Sequence, residues 1–379
     1  MDEEAYVLLL STSKIILERR YILKSSKKIV ICVLLIVVSI ISLILINKNT
    51  NKTFNYKGST IALTVDGNSA TSFPTSGKYN VNVNCNNAKC RWNPKTWKLE
   101  ITKITGTVTC DVSFNSNVSN LTTVVNNKAT RNANGKRYQG KNPNNYIWFN
   151  DELWRIIGNI PVCLTSGCAT TENRVKIIRN DSIGAIKYDE SSSTWMGSNI
   201  QNLLNICYLG KKSSCDSYCY SNATFAKGTC DYSSDGIDAT DFYGKMVEDV
   251  YFNVGAGDST YKTAANYYTQ EIATHTTSTS KIGLMHASDW GYAIEGFTGV
   301  IQNSGYARDS SDKNWLSNAD QWTMSAYSSS RPLRAYDCGF LFGESASEGY
   351  SIRPVLYLKS NVYVVSGTGT KVDPYRIGM

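Results

Sequence analysis

The stretch Asn145–Ile160, NYIWFNDELWRIIGNI, decides how the larger part of this chain is read. Trp148, Phe149, Leu153, Trp154, Ile156 and Ile157 supply the apolar mass of a core, and Asn150-Asp151 marks a turn between them. Asn and Asp suit that place because they tolerate the left-handed backbone of tight turns. NRVKIIRND, beginning at Asn173, follows as another strand.

Working backward, residues 118–140 are rich in Asn, Thr and Lys, contain NANG and carry little apolar mass. They read as a linker or a long edge excursion. Residues 58–117 precede it with TIALTV, KYNVNVNC, WKLEITKI and TGTVTCDVSF. Alternating β-branched residues between Gly-Asn, Ser-Gly and Asn-Pro turns predict a small all-β sandwich with Trp92 and Trp97 in its core.

Working forward, SNIQNLLNICYL places Ile200, Leu203, Leu204, Cys207 and Tyr208 at helical spacing behind Ser198 or Asn199 as a cap. DATDFYGKMVEDVYFNVG predicts a second helix, with Asp238 and Asp241 at its start and Phe242, Tyr243, Met246, Val247, Val250 and Tyr251 on its buried face. Tyr261–Ile272 predicts a third. KIGLMHASDWGYAI, QWTMSAY, GYSIRPVLYLKS and VYVVSGTG return to short strands and loops. Residues 141–379 therefore read as one larger α+β domain.

The N-terminal part carries a different signal. Residues 29–46 hold no charge, Pro or Gly, and about eighteen residues at ~1.5 Å each match the hydrocarbon thickness of a bilayer. Lys14, Arg19, Arg20, Lys24, Lys27 and Lys28 precede the run, against Lys48, Lys52 and Lys57 after it. The positive excess predicts a cytoplasmic tail (1–28), an uncleaved signal-anchor helix (29–46) that takes the lipid bilayer as its partner, a linker (47–57), and both domains outside the cell.

Composition agrees with an exported chain. Only 18% of the 379 residues are charged, and the formal net charge is +8. A mild, dispersed basic excess suits anionic wall polymers better than nucleic acid, which asks for a Lys/Arg stripe. Of eleven cysteines, Cys32 sits in the apolar run. Cys85, Cys110, Cys163, Cys168, Cys207, Cys215, Cys219, Cys230 and Cys338 are disulfide candidates, with Cys90 either free or reaching elsewhere. Cys163 with Cys168 closes a local hairpin, Cys85 with Cys110 bridges two strands, and Cys338 is left to join the 207–230 cluster.

Motifs for catalysis are absent: there is no phosphate loop, H-E-x-x-H, G-x-S-x-G or C-x-x-C. His286, with Ser288 and Asp289 beside it, reads as a core histidine, since adjacent residues rarely converge as a relay. Asp231, Ser233, Asp235 and Gly236 open like a calcium loop, but Phe242 stands where a bidentate Glu belongs. No metal or cofactor is expected. The aromatic residues Trp290, Tyr292, Trp315, Trp322 and Tyr327, with Trp195 and the carboxylates Asp289 and Asp337, are candidates for an exposed binding platform. Were the chain a hydrolase instead, Asp289, Asp309, Asp312, Asp337 and Glu344, or a Cys/His pair, would have to provide its site.

KNPNNYIWFNDELWRIIGNI, VKIIRNDSIG, KIGLMHASDWGYAI, NWL, QWTMSAYSSS and IRPVLYLKSNV resemble landmarks of uncharacterised extracellular domains from Gram-positive gut bacteria. The resemblance covers about 141–379, and a small β domain such as 58–117 often precedes it. More distantly, W-x-x-S-A and G-x-x-I-R-P-V resemble the end of C-type-lectin-like folds, including the formylglycine-generating-enzyme group. Gly349 through Arg353 follow that group's G-x-R context with Ser351 and Ile352 inserted, and Cys338 stands alone where its enzymes carry paired cysteines. The resemblance implies binding or adhesion at a bacterial cell envelope, toward a carbohydrate, wall polymer or surface protein.

Overall fold

A computed structural model describes residues 59–379, except 220–222, 226–227, 256–259, 261, 274–275 and 304–307. The expected fold class is corrected. The described chain is mostly β-sheet with a few short helices, Leu121–Lys128, Asn199–Asn202, Ala264–Ala273 and Ala287–Tyr292 being the α-helical ones, instead of an α+β fold of C-type-lectin type. Among the described residues no helix is long and apolar enough to cross a membrane, and the run 29–46 lies outside them. Residues Thr60–Met379 form one compact unit.

Within that unit the first sheet is four-stranded. Thr60–Val65 runs parallel to Thr109–Asn115, which pairs antiparallel with Asn80–Cys85 in a register that sets Cys85 opposite Cys110. The hairpin Lys89–Asn93/Lys98–Thr102 covers it. Trp92 fills the space between, edge-on to Phe114 at 4.9 Å and to Trp97 at 5.3 Å. Trp97 is only half-buried, because its Nε1 reaches out to donate to Pro74 O at 2.6 Å. Tyr363 and Val365, from the far end of the chain, complete this core. Where a linker is expected at 118–140, the chain instead forms helix Leu121–Lys128. Asn120 Oδ1 caps it by accepting from Thr122 N at 2.9 Å, and Leu121 and Val125 are buried.

Asn145–Ile160 becomes the hinge of the eight-stranded sheet. Tyr146–Phe149 and Glu152–Cys163 pair antiparallel, and both turn residues take left-handed backbone (φ 53° at Asn150, 60° at Asp151), the geometry that matches strand twist in a two-residue hairpin. Alternation sends Ile147 and Phe149 inward and Trp148 outward. Trp148 and Leu153, expected in the core, are half-buried partners across the hairpin, and the Arg376 guanidinium covers the Trp148 ring at 4.3 Å. The long strand continues through a bulge between Ile156 and Gly158. There Lys136–Arg137 crosses so closely that a Cβ on Gly158 would meet Lys136 O at 2.2 Å. Thr171–Arg179 and Val355–Leu358 extend the sheet on one side, Val250–Asn253 and Thr277–Ser280 on the other. Both faces of Thr171–Arg179 are covered from Arg174 onward. That is why Lys176, between Val175 and Ile177, is buried at all.

The first expected helix forms as Asn199–Asn202 continuing into a π-helical turn, Leu203–Tyr208. Ser198 Oγ caps it, and Ile200, Leu203, Leu204, Cys207 and Tyr208 are all buried. The third forms as Ala264–Ala273. The second does not form. Asp238 Oδ1 accepts from Thr240 N at 2.8 Å and Asp241 Oδ1 from Gly244 N at 2.7 Å, so these carboxylates build turns that compete with a helix. Gly244 rests against Asp238 O, where a Cβ would come within 1.8 Å. After one 3₁₀ turn, Gly244–Met246, the β-prone Val250–Asn253 leaves as a strand. The reverse error occurs at Ala287–Tyr292, which is helical where a strand or loop is expected.

Candidate functional site

The densest polar chemistry lies beneath the helix Ala287–Tyr292, and the sequence reading finds only half of it. Asp289 Oδ1 accepts from Arg137 Nη1 at 2.6 Å and its Oδ2 from Lys176 Nζ at 2.5 Å. His286 Nε2 lies 2.8 Å from Asn253 O. A carbonyl only accepts, so Nε2 carries the proton, and Nδ1 is left to accept from Lys176 Nζ at 3.0 Å. A second carboxylate, Glu271, accepts from Ser288 N at 3.1 Å, Ser288 Oγ at 2.5 Å and Ser325 Oγ at 2.7 Å.

Every member of this cluster is buried. Burial works to raise the Asp289 carboxyl, but the charges of Lys176 and Arg137, with the His286 backbone amide donating to it, outweigh burial and hold the group well below the usual carboxylate range. The same burial lowers the Lys176 ammonium, with Asp289 opposing. Of the two shifts the carboxylate's decides the state of the pair, because Asp289 faces two cations while Lys176 also has His286 Nδ1 to donate to. The set closes on itself. It also satisfies the first amides of a buried helix: Asp289 takes His286 N at 3.0 Å, Ser325 Oγ takes Ala287 N at 2.9 Å, and Glu271 takes Ser288 N. The arrangement fixes a helix between two sheets. It presents no free base or nucleophile to a substrate.

The expected aromatic platform is corrected. Trp290, Trp315 and Trp322 are 0, 3 and 1% exposed, so no ligand can stack on them. The indoles of Trp315 and Trp322 donate inward, to Tyr138 O at 3.1 Å and Ile186 O at 3.0 Å. Tyr292 is buried under the Arg137 guanidinium at 4.8 Å and accepts from Asn134 Nδ2 at 2.8 Å. Tyr327 is half-buried over Gly343. Asp337 is exposed and Asp289 is locked in the cluster. Asp312 is exposed, Glu344 accepts from Tyr336 Oη, and the Asp309 side chain lies outside the described residues. In the loop 231–242 the acids turn onto their own backbone, as Asp231 Oδ1 does toward Ser233 N at 2.8 Å.

The concave surface with binding character is elsewhere. A cleft of about 330 Å³ is lined by the hydroxyls of Ser193, Thr194, Thr276, Ser328 and Ser329 and by the apolar Trp195, Met196, Val254, Met324 and Ala326. Among the described residues no charged side chain lines it. Met196 is 46% exposed at its rim, one of the few large apolar side chains left open to solvent. Of the expected site residues only Trp195 reaches it, and that residue is itself buried. Sequence carried one usable signal: the TWMG turn at 194–197, two large apolar residues in a Ser- and Gly-rich loop.

Among the described residues four disulfides are present: Cys85–Cys110, Cys163–Cys168, Cys207–Cys215 and Cys219–Cys230. The 207–230 cluster pairs within itself, which corrects the place expected for Cys338. Cys338 is a free, exposed thiol, and Cys90 is free and half-buried. Comparison of the chain with family models, curated proteins and solved structures finds no match among any of them.

Proposed function

We propose that residues 60–379 form a binding module that works outside the reducing cytoplasm, at a cell envelope, and takes a neutral saccharide segment of a glycan or wall polymer in the cleft beside Met196. The observation that carries this reading is the cleft's lining. Among the described residues five hydroxyl side chains and five apolar ones line it, with no charge, and these match the polar edges and apolar faces of sugar rings. Four disulfides support the compartment. An anionic polymer finds its cations elsewhere, in a second cleft lined by Lys89, Arg91 and Arg376, where Arg91 is already paired with Glu100 at 2.5 Å. Among the described residues the buried acids Asp289 and Glu271, which a hydrolase could use, are occupied by partners within the fold.

The test is titration of the purified chain with neutral cell-wall and glycan fragments, with anionic wall fragments as the comparison. Saturable binding of a neutral fragment, weakened about tenfold or more by Met196→Glu, supports the reading; each tenfold is about 1.4 kcal/mol. Binding confined to anionic fragments, or binding unaffected by Met196→Glu, overturns it.

A further inference from the structure

Cys90 does not stand apart from the disulfides. Its Sγ lies 3.9 Å from Cys110 Sγ, and the sulfurs of Cys85, Cys90 and Cys110 all fall within 4.8 Å of one another. Among the described residues this is the one group of three or more His, Cys, Asp or Glu with donor atoms gathered so closely. Two of the three are joined, so as it stands the group is no metal-ligand set. It is a thiol in van der Waals contact with a disulfide.

The strands dictate the crowding. Cys85 and Cys110 face each other directly in the antiparallel pair of the first sheet. Cys90 enters from the covering hairpin, five residues beyond the end of the Asn80–Cys85 strand. Cys110 is fully buried, while Cys85 and Cys90 are half-buried on either side. Cys90 also lines two open clefts, of about 320 and 550 Å³, which give water and base access to its proton.

We infer that Cys85, Cys90 and Cys110 form a thiol–disulfide exchange site, with Cys110 as the shared partner of two alternative disulfides. Cys90 loses its proton to solvent and its thiolate attacks Cys110 Sγ. The Cys90–Cys110 bond forms as the Cys85–Cys110 bond breaks, and Cys85 leaves as a thiolate that takes up a proton. One thiol and one disulfide stand on each side of the reaction, so no oxidant or reductant is consumed. The products differ mechanically. The 85–110 link joins neighbouring strands within one sheet, whereas a 90–110 link ties the hairpin to that sheet.

Burial raises the Cys90 thiol above its ordinary value. Exchange is therefore slow near neutrality and accelerates about tenfold per pH unit while the thiolate is the minor form.

The experiment uses the intact, non-reduced chain. It is held at a series of pH values and unfolded in denaturant at mildly acidic pH, where N-ethylmaleimide traps free thiols. It is then digested without reduction, and labels and linked peptides are read by mass spectrometry. The expected map shows label on Cys85 as well as Cys90, the Cys85 share approaching its plateau faster as pH rises, together with a linked 90–110 peptide. Cys90→Ser abolishes the label on Cys85 and keeps the 85–110 link; Cys85→Ser forms the 90–110 link. Label confined to Cys90 at every pH overturns the inference, and the wild-type map decides this whether or not Cys85→Ser folds.

Discussion

Lys176 and Asp289 meet at 2.5 Å with their side chains 1 and 2% exposed, the Lys from the middle of a central strand and the Asp from the first turn of a buried helix. Neither can return to water without unfolding the contact between sheet and helix. Lys176→Met leaves Asp289 with Arg137 as its remaining cation, beside the His286 amide, and removes the donor to His286 Nδ1. Breaking a buried pair this way costs about 3–5 kcal/mol. Asp289→Asn leaves two cations short of a partner and is at least as damaging. Urea unfolding followed by tryptophan fluorescence measures both, and a loss below about 1 kcal/mol for Lys176→Met contradicts the assignment.

The same carboxylate sets an acid limit. Asp289 titrates well below its unfolded value in the folded chain, so its contribution is complete above about pH 4 and disappears as pH falls through the folded value. Unfolding midpoints recorded from pH 6 to pH 2 fall for the wild type, and the slope flattens in Asp289→Asn. Equal slopes in the two proteins place the acid sensitivity elsewhere.

Buried phenols set an alkaline limit. Burial holds Tyr188, Tyr208 and Tyr357 above the ordinary phenol range. For these groups the stabilising contribution is complete below the unfolded value near pH 10 and is lost as pH rises toward the folded values. Absorbance at 295 nm shows exposed tyrosines ionising first, then a cooperative step in which the buried ones ionise as near-ultraviolet dichroism collapses. A smooth titration with no loss of dichroism rules this out.

Trp322 separates packing from recognition. It is edge-on to Tyr188 at 5.6 Å and to Tyr350 at 4.9 Å, and its indole nitrogen is hydrogen-bonded. Trp322→Ala lowers stability by about 3–5 kcal/mol. Saccharide affinity per folded molecule changes little, as unfolding and binding titrations on one sample can establish.

The two local disulfides of the 207–230 segment close loops with sequence separations of 8 and 11 residues. Removing either by paired Cys→Ser substitution costs about 2–3 kcal/mol on the chain-entropy account. Thermal unfolding of the two double variants tests this, and no shift in either midpoint discounts a stabilising role.

Legibility followed locality. The hairpin at Asn150-Asp151, the strands of residues 60–115 and the helix behind Ser198 could be read because turn chemistry and periodicity act over a few residues. The helix expected after Asp238 failed because side-chain-to-backbone bonds and Gly244 are invisible to a hydrophobic stripe. Trp290, Trp315 and Trp322 were misplaced because large aromatics among polar neighbours look alike whether exposed or buried. Half of the charge cluster was hidden for a topological reason. Nothing near Lys176 or Glu271 says that the one will close on Asp289 and the other on Ser288, 113 and 17 residues away in the chain. The contact of Cys90 with the disulfide was out of reach for the same reason, since sequence left Cys90 either free or reaching elsewhere and could not place it against Cys110.

The packing of Tyr363 and Val365 into the core of the first sheet has a bearing on biogenesis. That sheet's strands are finished by residue 115, yet two of its core side chains arrive about 250 residues later. At a synthesis rate of roughly 5–20 residues per second the delay is about 12–50 s. A ribosome thus makes the first part of this unit with its interior open on one side, and a strand made about 250 residues later, Tyr363–Ser366, is the one that shuts it.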